Sequence, residues 1–207
     1  MIGLSKSKNN AGLMRREEKI MGCWGITAFE SDTGLDSVAL IRKNLPEDGK
    51  LDLGKIIEVL QKNKWSVPDA TDGYSHSGPM VLAEIMIKFI DQNVSFLGYY
   101  EDWAEKDNKF SSIASFTASK ESIGWLRDYI SDTLKYAKEN AEFRAEHATN
   151  ECDKQGGWFK ESDWHDWQNH MSALIRRMDT ILVFSENQID LCQPLEQENG
   201  PIMGQSF

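Results

Sequence analysis

Five residues, four near the start of the chain and one in a later helix, have side chains that could act together in chemistry. They are Trp24, Glu30, Asp32, Asp36 and Glu84. Carboxylates held close together can act as acid and base, or can bind a hard cation. The alternative is structural: Asp32 caps a helix, Asp36 complements the helix dipole, and Glu84 accepts hydrogen bonds from the Trp24 indole or from backbone N–H groups. We favour the structural interpretation, so the sequence predicts no catalytic residue in this group.

The spacing of histidine and cysteine gives little support for a metal site. His165 and His170 are five residues apart, about 140° around a helix, so they do not share a face. His147 and Cys152 have the same spacing. Cys23 has no evident basic neighbour to activate it as a nucleophile, which favours a small buried residue. We therefore expect no zinc or other metal, and no cofactor.

A loop and a set of aromatic residues are two further candidate binding sites. The loop 72–78 is rich in glycine and hydroxyl groups ahead of a helix and could hold an anion, but it contains no lysine and lacks P-loop spacing. We interpret it as a loop with a helix cap. The aromatic residues Trp103, Trp158 and Phe159 would suit a protein-binding surface if they were partly exposed beside acidic residues.

The spacing of apolar residues predicts an all-α fold of about six helices packed around a central apolar helix, 79–92, that carries Glu84. No convincing strand pattern is present, although the segment 94–117 leaves strands open. Of the other predicted helices, one begins near Thr33 and another spans about 51–63. A third begins at Ser119 and continues, with a break, to about Glu151, and the last follows a cap at Ser162.

These elements form one predicted domain, 21–184, between a flexible extension, 1–20, and a loose tail, 185–207. Arg15-Arg-Glu-Glu18 could be encoded by purine-rich codons resembling a bacterial ribosome-binding site. Our hypothesis is that Met21 is the natural start, and mass spectrometry of the native protein would test it.

Net charge is the most informative bulk property. The chain carries −10, with 23 Lys/Arg against 33 Asp/Glu. Five of these basic and two of these acidic residues lie in 1–20, which leaves 18 against 31, a net −13, in the rest. Such a surface disfavours nucleic acid and would attract a basic protein, although plain solubility is an alternative. The interrupted apolar run 80–90 predicts no membrane span, and the three scattered cysteines fit a reducing cytoplasm.

The stretch Met-Gly-Cys-Trp-Gly-Ile-Thr-Ala-Phe-Glu-Ser-Asp-Thr-Gly-Leu-Asp, residues 21–36, resembles the opening of a bacterial family known as domain of unknown function 4259. The matching positions are Trp24, Gly25, Phe29, Glu30, Asp32 and Asp36. Val81-Leu-Ala-Glu84 is similar to the family's apolar helix, and weaker similarity extends to about residue 182. Gly34 departs from the pattern, where alanine is usual. The resemblance implies a helical fold in the bacterial cytoplasm and no established activity.

Our leading functional hypothesis is a non-enzymatic protein-binding module. A sharper version is an immunity-type inhibitor, which would cover the basic active site of a toxin with an acidic surface. The alternative is a small enzyme that uses Asp32, Asp36 and Glu84, with metal-assisted hydrolysis as its reaction.

Overall fold

The computed structural model describes residues 25–63, 65–72, 77–94, 109–147, 163–184 and 187–192. These residues form a mostly helical protein with five α-helices and one small β-sheet. The helices are α1 Asp32–Lys43, α2 Leu53–Gln61, α3 Ser77–Ile90, α4 Lys120–His147 and α5 Trp164–Phe184. The strands are β1 Lys50–Asp52, β2 Ser115–Ser119 and β3 Gln188–Asp190. Within these ranges no helix is both long enough and apolar enough to cross a bilayer.

A 3-10 turn, Ala28–Glu30, leads directly into α1. Ser31 is the N-cap of α1: its hydroxyl oxygen accepts a hydrogen bond from Gly34 N–H at 2.9 Å and donates one to the Ala28 carbonyl at 2.8 Å. Asp32 is the first residue of the helix, where its charge complements the dipole. The cap is therefore Ser31, whereas the sequence analysis expected Asp32 to cap the helix.

Helix α2 begins after β1 and buries one side. The Asp52 carboxylate caps it by accepting a hydrogen bond from Lys55 N–H at 3.0 Å. The buried side carries Leu53, Ile56, Ile57 and Leu60, the four apolar positions that the sequence predicted for it. The helix begins two residues later than predicted because Leu51 belongs to β1.

Helix α3 is the most deeply buried element. Every residue from Met80 to Met86 is at most 5% exposed, including the carboxylate-bearing Glu84. The helix packs against α1, α2, α4 and α5. It begins two residues before Pro79 and ends at Ile90.

Helices α4 and α5 pack along each other. The predicted break in the fourth helical segment is absent, because 120–147 is a single helix. The apolar stripe predicted for α5 is buried at five of its six positions, Trp167, Met171, Leu174, Met178 and Ile181, whereas the sixth, Trp164, is only partly buried. The expected cap, Ser162, lies outside the described residues.

The predicted helical fold is confirmed in outline, and one small sheet is added to it. Its order is β1-β2-β3; β1 pairs with β2 in parallel, Leu51 opposite Phe116, and β3 pairs with β2 antiparallel. Phe116 points into the core, where its ring meets Phe89 of α3 edge-on at a centroid distance of 5.1 Å. Residues 188–190 were expected in a loose tail, but they form β3 and bury Ile189. The described part of the predicted tail is therefore part of the fold.

Candidate functional site

The 3-10 turn is held by the Glu30 carboxylate, which folds back over it. One oxygen, Oε2, accepts hydrogen bonds from Ile26 N–H, Thr27 N–H and the Thr27 hydroxyl at 2.9–3.1 Å. A Cβ on Gly25 would lie 2.2 Å from Glu30 Cδ, so a larger residue there would displace the Glu30 carboxylate from its place over the turn. Glu30 therefore has a structural role in its own turn.

Glu84 connects three elements through one carboxylate oxygen. Its Oε1 accepts a hydrogen bond from Ala28 N–H in the 3-10 turn at 2.9 Å, and lies 2.7 Å from Nε2 of His170 in α5. A carboxylate is an acceptor only, so the pairing assigns a proton to Nε2. Glu84 is 5% exposed, and its second oxygen, Oε2, has no hydrogen-bond partner among the described residues. The expectation that Glu84 accepts a backbone N–H is consistent with this geometry, whereas Trp24 lies outside the described residues.

A cleft of about 660 Å³ opens beside this pair. The lining of the cleft includes charged, polar and apolar groups, and it comes from the turn, from α3 and the residues just after it, and from α5. The lining residues are Thr27, Phe29, Glu30, Glu84, Ile87, Lys88, Asp91, Asn93, His170 and Leu174. Arg177 of α5 pairs with Asp91 at the edge of the cleft. The ammonium nitrogen of Lys88 lies 5.6 Å from the centroid of the Phe29 ring. Phe29, Glu30 and Glu84, which all lie at positions of the resemblance, thus meet at one cleft.

Asp32 and Asp36 do not join this cleft. Both are exposed on α1 and neither lines it. Across the part of the chain that the structure describes, no three His, Cys, Asp or Glu side chains are placed to hold a metal ion. The carboxylate group suggested by the sequence is therefore not assembled, because the Ser31 cap turns the start of α1 so that these acids face solvent.

His170 is the site residue that the sequence analysis missed. The sequence analysis considers His170 only as a possible zinc ligand together with His165. In the structure His165 is exposed. The overlooked signal was its position on α5, three residues after the buried Trp167 and four before the buried Leu174. A histidine at that position borders the core and can reach a buried acid.

A second charged feature lies on α4, opposite its buried side. Six exposed carboxylates fall in a stripe roughly 80° wide and about 38 Å long, by ideal helix geometry. We call this stripe the acidic face of α4; its members are Glu121, Asp128, Asp132, Glu139, Glu142 and Glu146. Lys135 lies within the stripe, and Arg127 neutralises one end by pairing with Asp128 at 2.9 Å. Phe143 borders the face and is 61% exposed.

The predicted aromatic surface cannot be compared with this face, since Trp103, Trp158 and Phe159 lie outside the described residues. Four residues of the loop 72–78, at 73–76, lie outside them as well. Among the described residues, Trp65 is the large apolar side chain most open to solvent, at 93% exposure.

Comparison of the chain with protein-family models, with curated proteins and with solved structures finds no match. The functional argument therefore depends on the residues of this chain alone.

Proposed function

We propose that this protein is a non-enzymatic binding module for a basic protein, and that the acidic face of α4 is its contact surface. The observation that carries the proposal is the concentration of six carboxylates on one exposed side of a single helix, beside the exposed Phe143 ring. Opposite charge speeds association by electrostatic steering, and an exposed aromatic side chain at the border of the face supplies apolar contact once the partner is in place. The face thus combines both parts of a protein-binding surface.

Among the described residues, Asp128 is the one member of the face that forms an ion pair, with Arg127, although Lys135 also lies within the face. Glu139, Glu142 and Glu146 follow one another at spacings of three and four residues, so they repel one another along the helix. This repulsion is a cost to the isolated protein that a cationic partner would remove. The sharper form of the proposal is an immunity-type inhibitor in the bacterial cytoplasm, which lays this face over the basic active site of a toxin.

Membership of the domain of unknown function 4259 family belongs to the same proposal. It is supported by the meeting of Phe29, Glu30 and Glu84, three positions of the resemblance, at one cleft. A central role for the predicted helix 79–92 in the core is likewise proposed, with the burial of α3 as its support. The alternative enzyme is not proposed, because Asp32 and Asp36 do not reach Glu84's cleft.

The test is a pull-down from the native host with three forms of the protein. The face variant is Glu139→Gln, Glu142→Gln and Glu146→Gln; the matched control is Asp36→Asn, Glu47→Gln and Glu58→Gln, which removes three exposed charges elsewhere. We expect a basic protein to be enriched by the wild type and by the control, and lost with the face variant. With the purified partner at about 50 mM salt, the face variant should associate roughly 10-fold or more slowly.

Two results would refute this function. One is the absence of any basic protein that the wild type retains over beads alone. The other is equal capture and equal association rates for the face variant and the control. A toxin gene beside the gene for this chain, with rescue of toxicity on co-expression, would establish the inhibitor form.

A further inference from the structure

The Glu84 carboxylate lines the cleft beside His170, and one of its two oxygens has no partner among the described residues. Oε2 of Glu84 is buried and makes no hydrogen bond to a described residue. On His170, Nε2 is engaged by Glu84, and no hydrogen bond joins Nδ1 to any residue in the described ranges. A buried acceptor without a donor is costly, so Oε2 of Glu84 favours a ligand or water that supplies an N–H or O–H group.

The charges around the cleft determine which kind of hydrogen-bond donor it attracts. Glu30, Glu84 and Asp91 contribute three carboxylates to the lining, and Lys88 contributes one ammonium. Arg177 pairs with Asp91, which leaves Glu30 and Glu84 facing Lys88. A cationic donor is therefore attracted and a carboxylate or phosphate is repelled.

The walls of the cleft are apolar at Phe29, Ile87 and Leu174. The Lys88 ammonium lies over the Phe29 ring at 5.6 Å, so one face of this ring already contacts a cation of the protein itself. A cavity of about 660 Å³ falls in the ordinary range for small-molecule sites, which is roughly 300–1,000 Å³. The ligand that suits such walls has an apolar body and a compact charged end.

We propose that the cleft between the 3-10 turn, α3 and α5 binds a small organic ammonium or guanidinium ion. The charged end lies toward Glu84 and His170, and the apolar body lies between Phe29, Ile87 and Leu174. This site is separate from the acidic face of α4, and each proposal can fail without the other.

The experiment titrates the full chain with n-butylammonium and n-butylguanidinium, and compares n-butanol and butyrate as neutral and anionic relatives. Binding is followed by NMR shifts of the Ala28 amide and the His170 ring. N-acetyl-lysine methylamide is a further probe that separates free amines from protein side chains as the source of the cation. We expect millimolar binding of a cation, and binding at least 10-fold weaker for butanol and butyrate, since a charged hydrogen bond is worth about 10- to 100-fold.

Glu84→Gln keeps the shape of the side chain and removes its charge, and should weaken cation binding about 10-fold or more. Ile87→Phe fills the cleft from a half-buried position and should weaken binding without touching Glu84, so it serves as a second test if Glu84→Gln fails to fold. Glu58→Gln and the α4 face variant should bind the cation as the wild type does.

Equal binding of n-butanol, or unchanged cation binding in both Glu84→Gln and Ile87→Phe, would overturn the proposal. The proposal would also be overturned if no cation changed the NMR shifts at concentrations 50-fold above the expected millimolar range. Water would then remain as the partner proposed for Oε2.

Discussion

Substituting Gly34 with alanine tests the packing of the 3-10 turn against α1. A Cβ at this position would lie 1.7 Å from the Ala28 carbonyl oxygen, whereas real Cβ atoms essentially never approach closer than 3.0 Å. The two segments would have to separate by about 1.3 Å, the difference between these distances. Ala28 cannot move freely, since its N–H donates to Glu84 and its carbonyl accepts from the Ser31 hydroxyl.

The expected magnitude follows from two opposing terms. Overpacking of this kind costs roughly 1–3 kcal/mol, and more where backbone atoms are the obstacle. Alanine in place of glycine within a helix returns about 0.5–1 kcal/mol. We therefore expect Gly34→Ala to lower the free energy of unfolding by up to about 2.5 kcal/mol, with a lower urea midpoint and an unchanged m-value.

Gly124→Ala is the matched control, because Gly124 also lies within a helix and a Cβ there would meet nothing within 4 Å. It should be neutral or stabilise by up to about 1 kcal/mol. The reasoning is refuted if Gly34→Ala is as stable as Gly124→Ala. The result also bears on the family resemblance, in which alanine is usual at the position of Gly34.

Three further predictions concern other parts of the fold. Glu84→Ala should lower the free energy of unfolding by about 2–4 kcal/mol, since it leaves the buried Ala28 N–H and the His170 ring without their hydrogen-bond acceptor. Glu84→Gln should lower it by less, because the amide keeps an acceptor oxygen. Urea unfolding measures both changes. Trp167→Ala should cost about 3–5 kcal/mol and Trp65→Ala less than about 0.5 kcal/mol, since the first side chain is fully buried and the second is 93% exposed. Burial raises the pKa of the Cys192 thiol above 9.0, the nearby Asp190 carboxylate raises it further, and a hydrogen bond from the Phe116 backbone opposes both. Iodoacetamide should therefore alkylate Cys192 more slowly in the folded than in the urea-unfolded chain, and stability should fall as the pH rises from 9 through the raised folded value, because only the unfolded thiol loses its proton readily.

Each of these predictions has a distinct contrary result. Equal stabilities of Glu84→Ala and Glu84→Gln would mean that the hydrogen bonds accepted by Glu84 contribute little to the free energy of unfolding. A similar cost for Trp65→Ala and Trp167→Ala would contradict their burial. Alkylation of Cys192 at the same rate in the folded and unfolded chains would contradict the raised pKa.

Helix periodicity was the part of the fold that the sequence could predict. The stripe Trp167, Met171, Leu174 and Met178 repeats at three and four residues, and such a pattern is readable because each helix buries a face over several turns. The strands could not be predicted in the same way. β1 and β3 have three residues each, and β2 has only Phe116 and Ala118 buried, which is too short for an alternating pattern.

The candidate site was predictable only in part. The burial of Glu84 and its need for a partner followed from its position in an apolar helix. Its pairing with His170 did not, because the two residues are 86 positions apart and meet only through the packing of α3 and α5. Likewise, Asp32 and Asp36 were close to Glu30 in sequence, but the direction of α1 after Ser31 decided which acids reached the cleft.

The three-stranded sheet also has a consequence for the synthesis of the chain. β1 meets β2 across 65 residues, from Lys50 to Ser115, and β2 meets β3 across 73, from Thr117 to Asp190. On a ribosome, α1, α2 and α3 can emerge and begin to pack while the sheet is still incomplete. The Phe116 strand then lacks its second neighbour until Asp190 has left the exit tunnel. Closure of the sheet therefore waits until β3 has been synthesised, and an aborted chain that stops before β3 would leave one edge of β2 open to pairing with another chain.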